Sequence, residues 1–458
     1  MLLTATLDLD FGRYRMLKHI TNKFKSDISK LLTKPTKIDA ASHIFSEKKI
    51  SASALKVVRK LQSSGYESYL VGGCIRDLLM GMKPKDFDVA TSATPEQVKS
   101  LFSRSRIIGR RFRIVHVRIG PEIIEVTTFR AQHADGQNGL TNSKLSSNGI
   151  LLRDNVFGSI AEDAIRRDFT MNALYYCPKE NKIIDYTKGL IDINKRVIRI
   201  IGNPSKRYRE DPVRMLRAIR FTAKLGFSLE NKSCQAIERS RLLLADIPPA
   251  RLFDEFLKLF MNGFALSSYN GLREHGLFEI LFPATERALA LKSNCYSKFI
   301  EQALVNTDKR IRQKQRVTPA FLLAAFLWPA LKNIEKISFG QKKINQFLLQ
   351  ENVDKVIHDQ CKRVAIPRRF SLSIKEIWEM QLRLPRRAGN QAFKLMDNKR
   401  FRAGYDFLLL REDAGEIESG LGSWWTVFQG AKDEAQKEMV IDVESSQKRS
   451  SKKIRNNS

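Results

Sequence analysis

Cysteine, histidine and acid are all scarce in this 458-residue chain, and each shortage closes off a class of function. Its five cysteines (Cys74, Cys177, Cys234, Cys295 and Cys361) lie more than fifty residues apart. That spacing provides neither a C-x-x-C knuckle nor a disulfide framework, so reduced, mostly buried thiols are expected. Six histidines without ligand spacing argue against zinc, and any metal should be a hard cation held by oxygen. No apolar run reaches the roughly 18 residues that a membrane-spanning helix needs. The longest candidate, Ala320 to Leu331, sits in a mixed helical pattern and reads as a buried core helix. The opening Met1-Leu2-Leu3-Thr4 lacks a leading basic region and is soon interrupted by Asp8 and Asp10, which fits neither a secretory nor a transit signal. The expected location is the cytosol, without membrane insertion, and no repeat of fixed period is found.

Positive charge is what the chain has in excess. Lys and Arg total 80 against 49 acidic residues, a net charge of +31, which implies a polyanionic partner, nucleic acid ahead of a membrane surface. A hydrophobic content of 43% is ordinary for a folded protein, and the length implies two or three packed units.

Periodicity divides the chain. Residues 1–50 are basic and weakly periodic and read as an extension. Ala54, Leu55, Val58 and Leu61 then recur at helical spacing until Gly65, and Tyr69-Leu70-Val71 begins a strand. Asp86 to Ala90 reads as a short strand, Thr94-Pro95-Glu96 opens a helix, and alternating runs from Arg113 to Ile119 and Glu122 to Phe129 meet at Gly120-Pro121. Residues 131–150, rich in Gly, Asn and Ser, read as a mobile loop. After Gly202 strands give way to helical patterns as far as Phe428, and the tail from Ser445 is disordered by composition. The expected class is α+β: an extension (1–50), a head of mixed sheet and flanking helices (51–202), an all-α neck (203–270) and body (271–440), and a basic tail (441–458).

Four segments carry chemistry. In Leu70-Val71-Gly72-Gly73-Cys74-Ile75-Arg76, a strand meets a helix through two glycines whose missing Cβ atoms let backbone approach a phosphate, and Arg76 can add charged donors. Alone, such a turn is equally a plain corner. Asp86 and Asp88 follow at i and i+2, which on a strand share one face. Paired carboxylates repel unless cations sit between them, and two magnesium ions roughly 3.5–4 Å apart would serve phosphoryl transfer. In Arg166-Arg167-Asp168-Phe169, Arg167 could hold a triphosphate and Asp168 could complete the acidic cluster, against a reading as a helix cap. Glu125, which interrupts an apolar strand on the face of Ile123 and Thr127, competes as third ligand, and the sequence leaves both open.

The fourth segment, Glu210-Asp211-Pro212-Val213-Arg214, reads as a helix capped by Asp211, with Arg214, Arg217 and Arg220 as a spiralling basic stripe. A carboxylate beside a guanidinium matches a base edge with one donor and one acceptor. Adenine and cytosine both fit, and guanine and uracil do not.

Together these segments resemble the class II nucleotidyltransferases, which comprise bacterial poly(A) polymerases and tRNA CCA-adding enzymes. The resemblance implies that Gly72, Gly73 and Arg76 bind the triphosphate, that Asp86 and Asp88 hold two Mg2+ ions, and that Arg167 and Asp168 contact nucleotide or metal. Asp211, Arg214, Arg217 and Arg220 would select the base. The runs Ile107 to Val117, Leu152 to Ile160, Ile247 to Glu255 and Gln381 to Arg387 look most similar to bacterial poly(A) polymerases. That implies a monomeric enzyme adding AMP from ATP to RNA 3′ ends, with contacts to an RNA chaperone or degradation machinery. A CCA-adding enzyme is the alternative and a non-catalytic RNA-binding protein the remote one. Arg110, Arg111 and Arg113, and in the tail Lys448, Arg449, Lys452 and Lys453, are expected to grip RNA or simply to be solvated.

Overall fold

The structure, a computed structural model, describes residues 34–40, 45, 47–109, 113–131, 144–145, 151–153, 157–291, 294–339 and 346–455, with the backbone alone for 144–145, 151–153, 294, 336–339, 346–349 and 446–455. Two compact units divide between Ser240 and Arg241.

The first unit is built on an eight-stranded sheet. Its strands are β1 (Thr36–Asp39), β2 (Ser68–Val71), β3 (Asp88–Thr91), β4 (Ser105–Ile108), β5 (Ile114–Ile119) and β6 (Glu122–Thr128). After a separate pair, β7 (Lys144–Leu145) and β8 (Leu151–Arg153), come β9 (Leu174–Cys177) and β10 (Lys182–Asp185). The order is β1-β10-β9-β2-β3-β6-β5-β4, antiparallel throughout except between β3 and β6. Strict alternation puts Ile124, Val126 and Thr128 in the core and leaves Glu125 exposed on the other face with Ile123. Gly120 supplies the positive φ (59°) that the two-residue β5–β6 loop needs at its first position. Helices flank the sheet. Ala52–Ser63, capped by Ser51, buries Ala54, Val57, Val58 and Leu61, and Pro95–Leu101 opens with a Thr94/Gln97 capping box.

Several expectations are corrected here. The 1–50 extension contributes β1, whose four residues pair with β10 but are too few to show a period. Asp86 lies outside β3, which begins at Asp88. Strands continue past Gly202, because β12 (Ser228–Leu229) pairs in parallel with β11 (Val197–Ile198). The neck region divides, its helices Pro204–Glu210, Val213–Leu225 and Asn231–Ser240 falling in the first unit and Pro249–Phe260 in the second.

The second unit is helical from Pro249–Phe260 to Asp433–Arg455 among the described residues. Phe326, on the helix Pro319–Phe339, stands at the centre of an aromatic core with Phe256, Phe260, Tyr269, Phe278 and Phe282 at centroid distances of 5.0–6.1 Å. Ala320 and Leu322 to Leu331 are largely buried in that core, as expected, and among the described residues no helix is long and apolar enough to cross a membrane. The segment read as a disordered tail is helical to Arg455. Val440 is buried in the cluster around Trp425 and Phe428, and Glu444 accepts a bond from the Gly389 N–H (2.8 Å), so packing at the helix start outweighs the polar composition beyond it.

Candidate active site

The site starts where β2 ends. Gly72 adopts φ 83°, ψ −131°, a conformation nearly closed to other residues, and turns the chain into the helix Gly73–Leu79. A Cβ on Gly72 would stand 3.5 Å from Arg167 Nη1, an ordinary contact distance, so that guanidinium lies directly against the turn.

Across the sheet, β3, β6 and β5 bring three titratable groups into one row. Asp88 pairs in register with Glu125, and Glu125 with His116. His116 Nε2 lies 3.4 Å from Glu125 Oε1. The Asp88 carboxyl is pushed up to about 6, first by burial and then by the charges of Glu125 and Asp86, against the pull of Arg167. Burial, and next Asp88, push the Cys74 thiol behind it up to about 12. Asp86 is exposed beside this row. Clustered carboxylate oxygens, with Asp88 held above the usual carboxylate range by its neighbours, make a donor set suited to a hard divalent cation.

Asp168 lies in a different setting. It accepts bonds from Arg217 Nε (2.7 Å), the Phe169 N–H (2.8 Å) and Asn172 Nδ2 (3.3 Å). Burial opposes its ionisation, but Arg217 and these donors lower its pKa to about 2. Asp168 is therefore fully matched by protein, whereas Asp88 and Glu125 repel each other.

Arginines dominate the remaining wall. Arg167 donates to Asp163 Oδ2 from Nε (3.1 Å) and Nη2 (3.0 Å) and to Tyr175 Oη (3.1 Å), while Tyr175 donates to Asp163 (2.7 Å). This clamp orients Arg167 and leaves Nη1 toward Gly72. Arg207, buried, donates to the Arg167 carbonyl (2.6 Å) and to Glu210 (2.7 Å), and burial followed by Arg214 brings its pKa down to about 10. Burial, with Arg130, Arg167, Arg207 and Arg214 close by, depresses Arg166 well below the usual guanidinium value. Five guanidiniums thus converge, with Asp163 and Glu210 bonded among them, an arrangement that attracts a polyanion.

The sequence-predicted residues divide accordingly. Gly72, Gly73, Asp88, Glu125 and Arg167 are brought together. Arg76 is buried, donating to Asp77 (2.6 Å) and Asn172 (2.6 Å), and faces the Phe221 ring at 5.2 Å. Arg214 donates to Glu210 (3.1 Å) and the Arg207 carbonyl (2.8 Å). Pro212 is the N-cap residue of the helix Val213–Leu225, and the Asp211 carbonyl just before it accepts from the Arg214 N–H (3.0 Å). Arg217 and Arg220 pack on Phe221. Arg113 pairs with Glu96. Arg110 and Arg111, like the side chains of Lys448, Arg449, Lys452 and Lys453, lie outside the described residues. The sequence reading missed Asp77, His116, Asp163, Asn172, Tyr175 and Arg207. Two left a trace: Asn172 interrupts the apolar run after Asp168, and Arg207 stands three residues before Glu210.

A mixed sheet with carboxylates beside a glycine turn, facing a wall of arginines, defines a nucleotidyltransferase head. Comparison with known proteins narrows the class. The Poly A polymerase head domain matches residues 68–199, the Polymerase A arginine-rich C-terminus 342–458, and the Probable RNA and SrmB- binding site of polymerase A 226–289. The chain is 46% identical to Poly(A) polymerase I of Salmonella typhimurium over 436 residues, 93% of each chain, and 47% identical to that of Haemophilus influenzae over 412 residues, 88% of this chain and 90% of that one. A crystal structure of the Bacillus stearothermophilus CCA-adding enzyme in complex with CTP matches with TM-score 0.54 and 27% identity, covering 81% of this chain and 80% of that one. The chain belongs to the bacterial poly(A) polymerase I family.

Proposed function

We propose that the chain is a polynucleotide adenylyltransferase that adds AMP from ATP to RNA 3′ ends without a template. The observation that carries this reading is the meeting at Asp88 of two opposite fields, the carboxylates Asp86 and Glu125 on one side and Arg167 with its cluster on the other. A negative well suits divalent cations and a positive one beside it suits their triphosphate.

Asp86 and Asp88, with Glu125 as third carboxylate, hold two Mg2+ ions in this reading. Such ions, when bound, lower the pKa of a hydroxyl and neutralise phosphate charge. Everything else falls to the chain. The Gly72–Gly73 turn admits the phosphates to backbone contact, and Arg167, fixed by Asp163 and Tyr175, neutralises them through Nη1. Asp211 and Arg214 read the base edge, and Arg217, tied to Asp168, anchors the base-reading helix to the head. The RNA 3′-oxygen then displaces pyrophosphate from the α-phosphorus, forming one phosphodiester bond as one phosphoanhydride bond breaks.

The test is extension of an unstructured RNA with ATP alone. A long ladder is expected, abolished by Asp86→Asn. Extension that needs CTP and a tRNA end would instead favour a CCA-adding enzyme, to which part of this chain is also similar: 38% identity over 226 residues to that of Lactobacillus delbrueckii subsp. bulgaricus.

A further inference from the structure

The second unit contains a cleft of about 660 Å3 in which positive charge is concentrated far beyond its acidic content. It opens between the helices Asn294–Arg312, Pro319–Phe339, Arg368–Arg383 and Phe401–Asp413. Lys309, Arg310, Arg316, Arg369, Lys399, Arg400 and Arg402 line it, against Asp406 and Asp413 as the acidic side chains of the lining. Asp406 accepts from Arg310 (3.2 Å) and Arg402 (3.0 Å), and Arg400 is held by Glu376 (2.6 Å). Among the described residues no carboxylate pairs with Lys309, Arg316, Arg369 or Lys399. A cleft that fixes three guanidiniums by ion pairs and leaves four more cations unmatched concentrates positive potential between low-dielectric walls. Phe321 and Phe370 are partly exposed in the same lining, Phe370 with the Arg369 guanidinium 4.7 Å from its ring centroid.

We infer that this cleft is a binding site for single-stranded RNA, taking several successive phosphates of the backbone while Phe321 and Phe370 offer faces for bases. Two features favour a strand over a free phosphate. The cations are spread over three helices and the loops at 313–318 and 397–400 rather than focused on one point, and the apolar surface among them suits bases more than inorganic ions. Cations on phosphates and rings against base faces carry no sequence, so this grip is sequence-tolerant. The inference rests on the RNA-extending activity proposed above, but not on the head that would perform it.

The experiment compares two full-length variants in RNA binding without ATP. One carries Lys309→Gln, Arg316→Gln, Arg369→Gln and Lys399→Gln; the control carries Lys355→Gln, Lys362→Gln, Arg363→Gln and Lys394→Gln, the same charge removed outside the cleft. Circular dichroism melting checks that both fold. For a fluorescent 20-nucleotide RNA the cleft variant should bind at least about tenfold more weakly than the control at low salt, with a log Kd against log salt slope smaller by about 2 to 3. Equal affinity and slope in the two variants would overturn the inference. So would a cleft variant that loses ATP or inorganic phosphate binding but keeps RNA, or one that loses polyglutamate as completely as RNA, which would point to an acidic peptide. Because ladder formation from ATP is measured separately, failure here leaves the proposed activity standing, and loss of the activity leaves the cleft result readable.

Discussion

At the scale of single residues, the site sets two carboxylates in opposite electrostatic states. Asp88 has a pKa raised to about 6, against the usual direction for a carboxylate, so ionising it costs folded-state stability. That cost is full above about pH 6 and vanishes below about pH 4, where the carboxyl is protonated folded and unfolded alike. Without divalent metal, Asp88→Asn should therefore raise stability at pH 7.5 by on the order of 2 kcal/mol and gain nothing near pH 4, while extension activity is lost. Thermal melting in chelator across pH measures it, and equal melting temperatures at pH 7.5 would refute the repulsion. Asp168 has the reverse sign. Its pKa is lowered to about 2, so its contribution is complete above about pH 4 and disappears as pH falls toward 2. Asp168→Asn should cost ~2 kcal/mol at neutral pH with Mn2+ binding retained, whereas Glu125→Gln should weaken Mn2+ binding by about tenfold, the 10–100-fold range of metal-site mutations, with little loss of stability. Mn2+ titration followed by electron paramagnetic resonance separates them, and the opposite pattern would return Asp168 to the metal.

At the scale of elements, the turn and the helix junction position the charges. Gly72→Ala forces a side chain into φ 83° beside Arg167 and should cost ~1–3 kcal/mol, with a raised KM for ATP. Arg207→Lys removes the fork that binds the Arg167 carbonyl and Glu210 together. It should destabilise the first unit by ~1–3 kcal/mol and lower kcat more than it changes RNA affinity, since its effect runs through Arg167. Equal kcat and melting temperature in that variant would leave Arg207 without a positioning role. The elements of the candidate site were legible where their signals are local, as in the Gly72-Gly73 turn and the alternation that exposes Glu125, whereas the i and i+2 spacing placed Asp86 on a strand that begins only at Asp88. Partners were not, because a sequence does not state who meets whom. Arg76 and Asp168 read as site residues, but nothing in the sequence shows that Asp77 and Asn172 accept from Arg76 or that Arg217, forty-nine residues on, donates to Asp168. The helix at 433–455 was missed for a similar reason, since Val440 signals order only once its Trp425 and Phe428 neighbours are known.

At the scale of the whole molecule, the +31 charge should be read as a binding energy that salt can remove. The positive residues are not uniformly spread: one concentration lines the candidate active site in the first unit and another the cleft in the second. If RNA were held chiefly by base contacts, its affinity would change little with ionic strength. A strand gripped by its phosphates releases counterions as it binds, with a slope near −0.7 for each phosphate engaged on single-stranded RNA. With about five phosphates held, affinity should fall roughly a hundredfold between 50 and 200 mM salt. Random-sequence and homopolymer RNAs of one length should fall in parallel, because the backbone carries no sequence. Fluorescence anisotropy over a salt series measures the slope. A slope near zero, or one that differs between sequences, would place the affinity in base recognition and leave the excess charge without a role in binding RNA.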